Sequence, residues 1–264
     1  MHLETLSDRA RIERHLRRDA ALHLYELGDL DDFFFPHTSY RALVDGDAIV
    51  AMGLLYHATD LPVLVAMGHP HDAANVRALV RALRGDLPAR VYGHLAPGTH
   101  DALGDAFHVD EHGLHDRMVL VDRSKVDAVD TRAACRVAPS DRAEVEALFA
   151  RAYPGNWFVP RMLETNTYAG VRRDGVLVAV AGVHVVSRSM RVAALGNVTT
   201  DPAHRGRGLG RVATAAVCNM LRGLDVETIG LNVESTNESA IALYRRLGFD
   251  RVSSYEEVMI TKRG

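Results

Sequence analysis

A glycine- and arginine-rich stretch, HRGRGLGR over residues 204–211, is the part of the sequence best suited to binding an anion. It does not fit two common phosphate loops. No lysine follows the glycines, as a P-loop requires, and Arg211 stands where a dinucleotide fingerprint needs its third glycine. What remains is Arg-x-x-Gly-x-Gly, from Arg205 through Gly208 to Gly210, directly before apolar residues at helical spacing. Because the first N–H groups of a helix lack internal partners and glycines let an anion approach them, the pattern predicts a pyrophosphate site. A flexible strand-to-helix turn without a ligand is the alternative.

A second motif, IGLNVESTNESAIALYRRLGF, covers residues 229–249. A β-branched strand is predicted to end near Asn232, and Asn237 can N-cap the helix that follows. Gly248 is typical of the left-handed residue that ends a helix. Tyr244 falls on the apolar face of this helix, so the pattern alone favours a tyrosine that packs in the core.

The two segments NVTTDPAHRGRGLG and LNVESTNESAIALYRRLGF, in this order, resemble the signatures of the GNAT superfamily of acyl-CoA N-acyltransferases. The resemblance covers roughly residues 135–260. It implies an α/β (α+β) fold, in which a twisted, mixed and mostly antiparallel sheet is flanked by helices. It further implies that acetyl-CoA is the co-substrate, without a metal, and that a primary amine attacks it directly in a ternary complex. A non-catalytic acyl-CoA-binding or regulatory module is the alternative.

The resemblance also implies roles for individual residues. The Tyr244 hydroxyl is expected to face the thioester sulfur as the general acid, and Asn237 to lie beside the pantetheine or phosphate region. The strand that ends at Thr200 is expected to offer backbone groups to pantetheine, and the glycine-rich loop to hold the pyrophosphate. The other cofactor-binding residues expected are Val198, Thr199, Thr200, Arg205, Gly206, Arg207, Gly208, Leu209, Gly210 and Asn232.

The general base is left unassigned by the sequence. Many members of the superfamily place a glutamate on the strand before the glycine loop, whereas the strand AALGNVTT carries Asn197 and no carboxylate. A water relay, His184 or Glu234 are the alternatives for taking the proton. His184 is also typical of a hydrogen-bonded strand histidine, and Glu234 of a solvated loop charge.

The elements that must position these residues occur twice in the sequence. Hairpins are predicted around Asp45-Gly46 and Asp174-Gly175, dipeptides that favour tight turns. Each hairpin follows a helical pattern and precedes a strand, a helix and another strand. We therefore predict an internal repeat offset by roughly 130 residues, with a degenerate GNAT-like lobe over residues 1–124 and a GNAT acetyltransferase domain over residues 133–264. The first copy reads GHPHDAAN in place of the glycine loop, so we expect it to bind no CoA.

Composition and charge restrict the partners. The net charge is −3, which offers no overall attraction to nucleic acid or to an anionic membrane, so we expect neither as a partner. The acceptor that the resemblance implies is a small-molecule or peptide amine. Without a leader-like start or a long apolar run, a cytoplasmic monomer or homodimer is expected. The two cysteines form no CxxC, and His108, His112 and His115 share no period, so we predict a solvated loop there and no metal.

Overall fold

The computed structural model describes residues 1–264 as a mixed α/β fold with twelve strands and seven α-helices. Helix by helix, the bounds are α1 (Arg9–Leu16), α2 (Leu24–Gly28), α3 (Ala73–Leu83), α4 (Ser124–Asp127), α5 (Arg142–Ala152), α6 (Leu209–Arg222) and α7 (Glu238–Arg246). The strands are β1 (His2–Leu6), β2 (Thr38–Asp45), β3 (Ala48–Tyr56), β4 (Val63–Ala66), β5 (Arg90–Leu95), β6 (Phe107–Leu120), β7 (Ala134–Val137), β8 (Tyr168–Arg173), β9 (Val176–Ser187), β10 (Val192–Thr200), β11 (Thr228–Glu234) and β12 (Phe249–Lys262). Spanning a bilayer takes about 20 apolar residues in one helix, and none of these helices combines the necessary length and hydropathy.

The chain divides into two compact units that exchange segments of sequence. Unit 1 comprises Met1–Arg117, Val233–Asn237 and Arg251–Gly264, and unit 2 comprises Met118–Asn232 and Glu238–Asp250. Most of the last strand, β12, therefore lies in unit 1, beside β5. The division into residues 1–124 and 133–264, which orders the two repeats along the sequence, stays a prediction.

Unit 1 contains a sheet in the order β1-β2-β3-β4-β5-β12-β6. The β4–β5 pair is parallel, and the pairs β1–β2, β2–β3, β3–β4 and β5–β12 are antiparallel. One face of this sheet packs against the apolar side of α3, where Leu79, Val80 and Leu83 are fully buried.

Unit 2 contains the strands in the order β11-β10-β9-β8-β7, with β10–β11 parallel and the other pairs antiparallel. Val180 of β9 belongs to the core cluster around α5, and its neighbour Ala179 belongs to the cluster that contains Leu209 of α6. Since successive strand residues point to opposite faces, α5 and α6 cover opposite faces of the sheet.

Both predicted hairpins form, as β2–β3 and β8–β9. Gly46 has φ +59°, and Asp174 and Gly175 have φ +51° and +80°, which is the left-handed backbone that tight hairpins require. The prediction for His108, His112 and His115 is wrong in one respect, because this segment is part of strand β6 rather than a loop.

Candidate functional site

The N-terminus of α6 is the best candidate in unit 2 for binding an anion. Its N-cap is Gly208 in a left-handed conformation (φ +74°, ψ +7°), and no side chain caps the helix. The amide of Val212 bonds to the carbonyl of Gly208 at 3.1 Å. The amides of residues 209–211 precede this bond, so they have no acceptor at the normal helical spacing and carry the positive end of the helix dipole.

The glycines of the loop have two different roles. Gly206 and Gly208 both have φ +74°, and a Cβ on either would meet nothing within 4 Å. Glycine is therefore favoured at both positions by the backbone conformation and not by a lack of space for a side chain. Gly210 has no such φ, but a Cβ there would lie 3.0 Å from Thr200 Oγ1 and 3.4 Å from Leu243 Cδ1. The absence of a side chain at Gly210 therefore lets the start of α6 pack against the end of β10 and against α7.

Arginines fix the shape of the loop as well as adding charge. Arg205 donates from Nε to the carbonyl of Thr200 at 3.3 Å and from Nη2 to that of Ala152 at 3.4 Å. Arg151 donates from Nε to Asp201 at 2.8 Å, and this hydrogen bond is the main cause of the lowered pKa of Asp201. Arg207 is exposed and makes no such contact, so it is the loop arginine available to a ligand.

The parallel pairing of β10 with β11 ends before either strand does. It runs from Val192 opposite Thr228 to Leu195 opposite Leu231, so Asn232 is the first residue of β11 beyond it. On the other side, β10 passes from Gly196↔Gly182 to Thr199↔Val180, which leaves Asn197 and Val198 opposite Ala181 alone. This is a β-bulge, and a bulge leaves backbone groups without a ladder partner.

Asn197 stabilises this bulge through its backbone conformation and its side chain. Its backbone has φ +56°, a conformation that asparagine tolerates better than most residues. The side chain is 5% exposed, and its amide donates to the Tyr168 hydroxyl at 3.0 Å, which in turn donates to the carbonyl of Val183 at 3.2 Å. Burial raises the pKa of Tyr168, so this phenol stays neutral. The sequence showed that Asn197 cannot be a base but not that it stabilises the bulge. The signal that could have indicated the bulge was an asparagine placed between small and β-branched residues of a predicted strand.

Tyr244 lies in unit 2, on the buried side of α7. It is 7% exposed, and its ring packs against that of Phe249 at a centroid distance of 6.0 Å and an interplanar angle of 62°. Gly248 has φ +92° and confirms the predicted end of the helix. Its carbonyl also accepts the amides of Val121 and Asp122 at 2.9 and 3.1 Å, which fixes the C-terminal end of α7.

The remaining predicted residues are distributed over both units. Asn237 belongs to unit 1, is exposed, directly precedes α7, and donates its amide to the carbonyl of Glu234 at 2.9 Å. Glu234 is itself exposed and accepts from Thr236 at 2.8 Å. His184 lies against Gly196 of β10, since a Cβ on that glycine would fall 2.2 Å from its Nε2. Of the two candidate bases, only His184 lies in unit 2 beside the bulged strand.

A model of the acetyltransferase (GNAT) family matches residues 133–249. The N-alpha-acetyltransferase RimI of Mycobacterium tuberculosis is 36% identical over 88 residues, which are 33% of this chain and 54% of that protein. A mycothiol acetyltransferase of Mycobacteroides abscessus is 38% identical over 96 residues, 35% of this chain and 30% of that protein. The chain therefore spans about half, or less, of the length of these curated relatives.

One solved structure, a tandem GNAT protein from the clavulanic acid biosynthesis pathway, aligns over 100% of this chain and 99% of its own chain, at a TM-score of 0.55 and 15% identity. At this identity the likeness concerns the fold alone. This likeness in fold confirms the predicted tandem arrangement and fold class. The family model covers only residues 133–249 and therefore says nothing about the first half of the chain.

Proposed function

We propose that this protein, whose residues 133–249 belong to the acetyltransferase (GNAT) family, transfers an acetyl group from acetyl-CoA to a primary amine. One observation carries the proposal. The uncapped start of α6, behind Gly206 and Gly208, adjoins the end of β10, which continues beyond its last pairing with β11 at Leu195. An anion site beside strand backbone that β11 does not pair suits a ligand with both a pyrophosphate and an amide-containing arm.

The residues fit CoA in the following way. The amides of residues 205–210 hold the pyrophosphate, with Arg207 adding charge at the solvent side. The backbone of Val198, Thr199 and Thr200 pairs with the amide groups of pantetheine, because β11 no longer pairs with this part of β10. Asn232 lies on the facing strand just beyond the paired segment. The expected role of Asn237, which belongs to unit 1, stays a prediction.

Two groups of the chain act on the charge that develops during transfer. A backbone N–H near Val198 stabilises negative charge on the carbonyl oxygen of the bound acetyl group. The Tyr244 hydroxyl donates a proton to the departing sulfur, which leaves as the free thiol of CoA. Acetyl-CoA supplies the activated acetyl group, and the protein supplies orientation and proton transfer.

The amine must lose a proton, and His184 is the base that we propose. It lies against Gly196, two positions before Val198, whereas Glu234 is exposed and accepts a hydrogen bond from Thr236. The position that many superfamily members give to a carboxylate is occupied here by Asn197, which is engaged with Tyr168.

The acceptor is proposed as a small-molecule or peptide amine. The relatives' names include an N-alpha-acetyltransferase, a mycothiol acetyltransferase and a streptothricin acetyltransferase, so both classes occur among them.

The test mixes the protein and acetyl-CoA with polyamines, amino acids, aminoglycosides and peptide N-termini, and follows the release of free thiol. We expect at least one amine to release thiol, and Tyr244→Phe to lower kcat by about 10² or more. Binding of acetyl-CoA without thiol release from any amine would instead support the non-catalytic acyl-CoA-binding module. His184→Gln should change the pH profile of kcat/KM, and an unchanged profile would exclude His184 as the base.

A further inference from the structure

Two β-bulges lie close together on strands β9 and β10 of unit 2. Between Ala194 and Leu195 of β10 the pairing shifts by one residue, which leaves His184 of β9 as an extra residue. The second is the bulge of β10 at Asn197 and Val198. Because one extra residue lies on each strand, the two shifts cancel, and the strands regain their original register after the second bulge. Both the proposed base and the proposed backbone donor therefore lie where the ladder is interrupted and cannot fix their positions by itself.

The Tyr168 hydroxyl contacts both bulges. It donates to the carbonyl of Val183, the residue directly before His184, at 3.2 Å. It accepts from the side-chain amide of Asn197 at 3.0 Å. The sulfur of Met162 lies 3.6 Å from the same hydroxyl, but a thioether is a weak acceptor, so the carbonyl takes the proton. One hydroxyl therefore links the two strands at the points where their pairing is interrupted.

A pair of facing glycines makes room for the two rings at these bulges. Gly182 and Gly196 are paired, so a Cβ on either would point to the same face of the sheet. A Cβ on Gly182 would lie 2.1 Å from the Tyr168 ring. A Cβ on Gly196 would lie 2.2 Å from His184 Nε2. The two rings therefore lie over adjacent positions of one face, and neither glycine could carry a side chain beneath them.

The Tyr168 hydroxyl can donate and accept at the same time. The side chain is fully buried, and burial raises its pKa, so the phenol keeps its proton. Removing one partner of a buried hydrogen bond leaves the other polar group unsatisfied, which costs more than the bond itself contributes. Without the hydroxyl, the carbonyl of Val183 and the side-chain amide of Asn197 would both lose this partner.

The first lobe has a buried tyrosine at a similar place but uses it differently. Tyr40 lies on β2, the first strand of its hairpin, as Tyr168 lies on β8. Tyr40 is 1% exposed, and its hydroxyl donates to the carbonyl of Glu26 in α2. The pairing of β3 with β4 in that lobe contains no register shift. The bulged strand pair and the tyrosine that bridges it therefore occur together in the lobe with the CoA signature and not in the other.

We propose that Tyr168 is a positioning residue for acetyl transfer, an inference that rests on the function proposed above. Its hydroxyl holds the bulge of β10 through Asn197, so that the N–H near Val198 meets the carbonyl oxygen of the bound acetyl group. The same hydroxyl holds Val183 and with it the start of the bulge that carries His184. Tyr168 is fully buried and acts only through these neighbours.

The first test measures binding without any amine. Acetyl-CoA labelled with ¹³C at the acetyl carbonyl is bound to the full-length protein, and its carbonyl signal is recorded. A hydrogen bond to the carbonyl oxygen moves this signal downfield, so the signal reports the donor near Val198. Tyr168→Phe keeps the ring over Gly182 and removes the hydroxyl, and we expect it to return the signal toward that of free acetyl-CoA. Affinity for acetyl-CoA should stay within about twofold, because the glycine loop is unchanged.

The matched control is Tyr40→Phe, which also removes a buried tyrosine hydroxyl. Both variants should lower the urea midpoint, since each loses buried hydrogen bonding. Only Tyr168→Phe should change the carbonyl signal. With an amine that releases thiol from the wild type, only Tyr168→Phe should lower kcat, by about 10- to 100-fold, with KM for acetyl-CoA unchanged. A tyrosine that contributes stability alone would not separate kcat from KM in this way.

An unchanged carbonyl signal in Tyr168→Phe with acetyl-CoA bound would overturn the inference, and so would equal kcat values for Tyr168→Phe and Tyr40→Phe. If Tyr168→Phe does not fold, Asn197→Gly removes the same hydrogen bond from the other side and tolerates φ +56°. A carbonyl signal that moves toward free acetyl-CoA in Asn197→Gly supports the inference, and a wild-type signal rejects it.

Failure of the proposed function would give a different result. A wild type that binds no acetyl-CoA would overturn that function and this inference together. A wild type that binds acetyl-CoA but releases no thiol with any amine would overturn acetyl transfer alone. In that case the carbonyl signal of Tyr168→Phe still decides whether the hydroxyl positions the backbone donor.

Discussion

Replacing Gly208 with alanine tests the proposed role of the glycine loop. Gly208 is the N-cap of α6 at φ +74°, and an added Cβ would contact nothing within 4 Å. The methyl group therefore causes no clash, and its effect comes through the backbone conformation alone. An alanine in the left-handed region costs about 1–2 kcal/mol relative to the right-handed one.

The matched control is Gly175→Ala in the β8–β9 turn. Gly175 has φ +80° and likewise nothing within 4 Å of an added Cβ, so it bears the same strain in the same unit but outside the loop. Both variants should lose about 1–2 kcal/mol of unfolding free energy if the backbone keeps its conformation. If α6 relieves the strain by turning Gly208 away, the amides beside it lose their orientation. Binding must then restore that orientation at the same cost of ~1–2 kcal/mol, which is about a 5- to 30-fold weaker affinity.

The assay measures acetyl-CoA affinity by calorimetry and stability by urea unfolding for both variants. We expect Gly208→Ala to bind acetyl-CoA about 5- to 30-fold more weakly, and Gly175→Ala to bind it as the wild type does. If Gly208→Ala kept wild-type stability, which would mean that the backbone had relaxed, and still bound acetyl-CoA as well as Gly175→Ala does, the amides at the start of α6 would not be the phosphate site.

Three further predictions follow from the geometry. Asn197→Ala removes the hydrogen bond to Tyr168 and places alanine at positive φ, so kcat/KM should fall. Asn197→Gly also removes the hydrogen bond but tolerates the positive φ, so kcat/KM should fall less. Equal losses of kcat/KM would mean that backbone freedom at this position does not matter. Gly182→Ala would place a Cβ 2.1 Å from the Tyr168 ring, and overpacking of this kind should cost about 1–3 kcal/mol in urea unfolding. Burial lowers the pKa of His94 to about 4 against ~6.5 in the unfolded chain, so unfolded protein takes up the proton first as the pH falls. The free energy of unfolding should therefore decrease between pH ~6.5 and ~4, by up to ~3 kcal/mol, and His94→Gln should flatten this dependence.

Local signals in the sequence were sufficient to predict several turns, a helix end and a buried helix face. The turns at Asp45-Gly46 and Asp174-Gly175 depend on backbone freedom within a dipeptide, and the stop at Gly248 depends on a single left-handed residue. The buried residues of α5, Val145, Leu148 and Phe149, follow from the helical period alone. In each case the cause lies within a few residues of its effect, so a single sequence reveals it.

Long-range pairings could not be predicted in the same way. The placement of β12 beside β5 joins Glu257 to His94, which are far apart in the sequence, and no local period encodes that register. The contact between these two side chains follows only from that pairing. The bulge at Asn197 also depends on a long-range pairing, because the side-chain amide of Asn197 donates to the hydroxyl of Tyr168 on another strand. Such features depend on which strands become neighbours, whereas periodicity reports only which face of a strand is buried.

The two lobes differ at the candidate anion site by one short insertion. In the first lobe a 3₁₀ turn over Pro70–Asp72 leads directly into α3 at Ala73. In the second, the corresponding turn over Pro202–His204 is followed by residues 205–208 before α6 begins at Leu209. Those residues contain both positive-φ glycines of the cradle, and the first lobe has no counterpart to them.

The first lobe also places a charge where an anion would have to sit. The N-cap of α3 is Asp72, whose carboxylate makes no capping hydrogen bond and lies 3.2 Å from His71 Nε2. An acidic side chain already complements the positive end of a helix dipole, so it stabilises α3 and repels a pyrophosphate at the same position. Removing that charge alone would leave the turn without the Gly206 and Gly208 conformations, and therefore we expect Asp72→Asn to gain no affinity for CoA. Loop length and charge are therefore two independent physical reasons to expect no CoA in the first lobe, and we expect that both would have to be reversed before CoA bound there in the way proposed for the second.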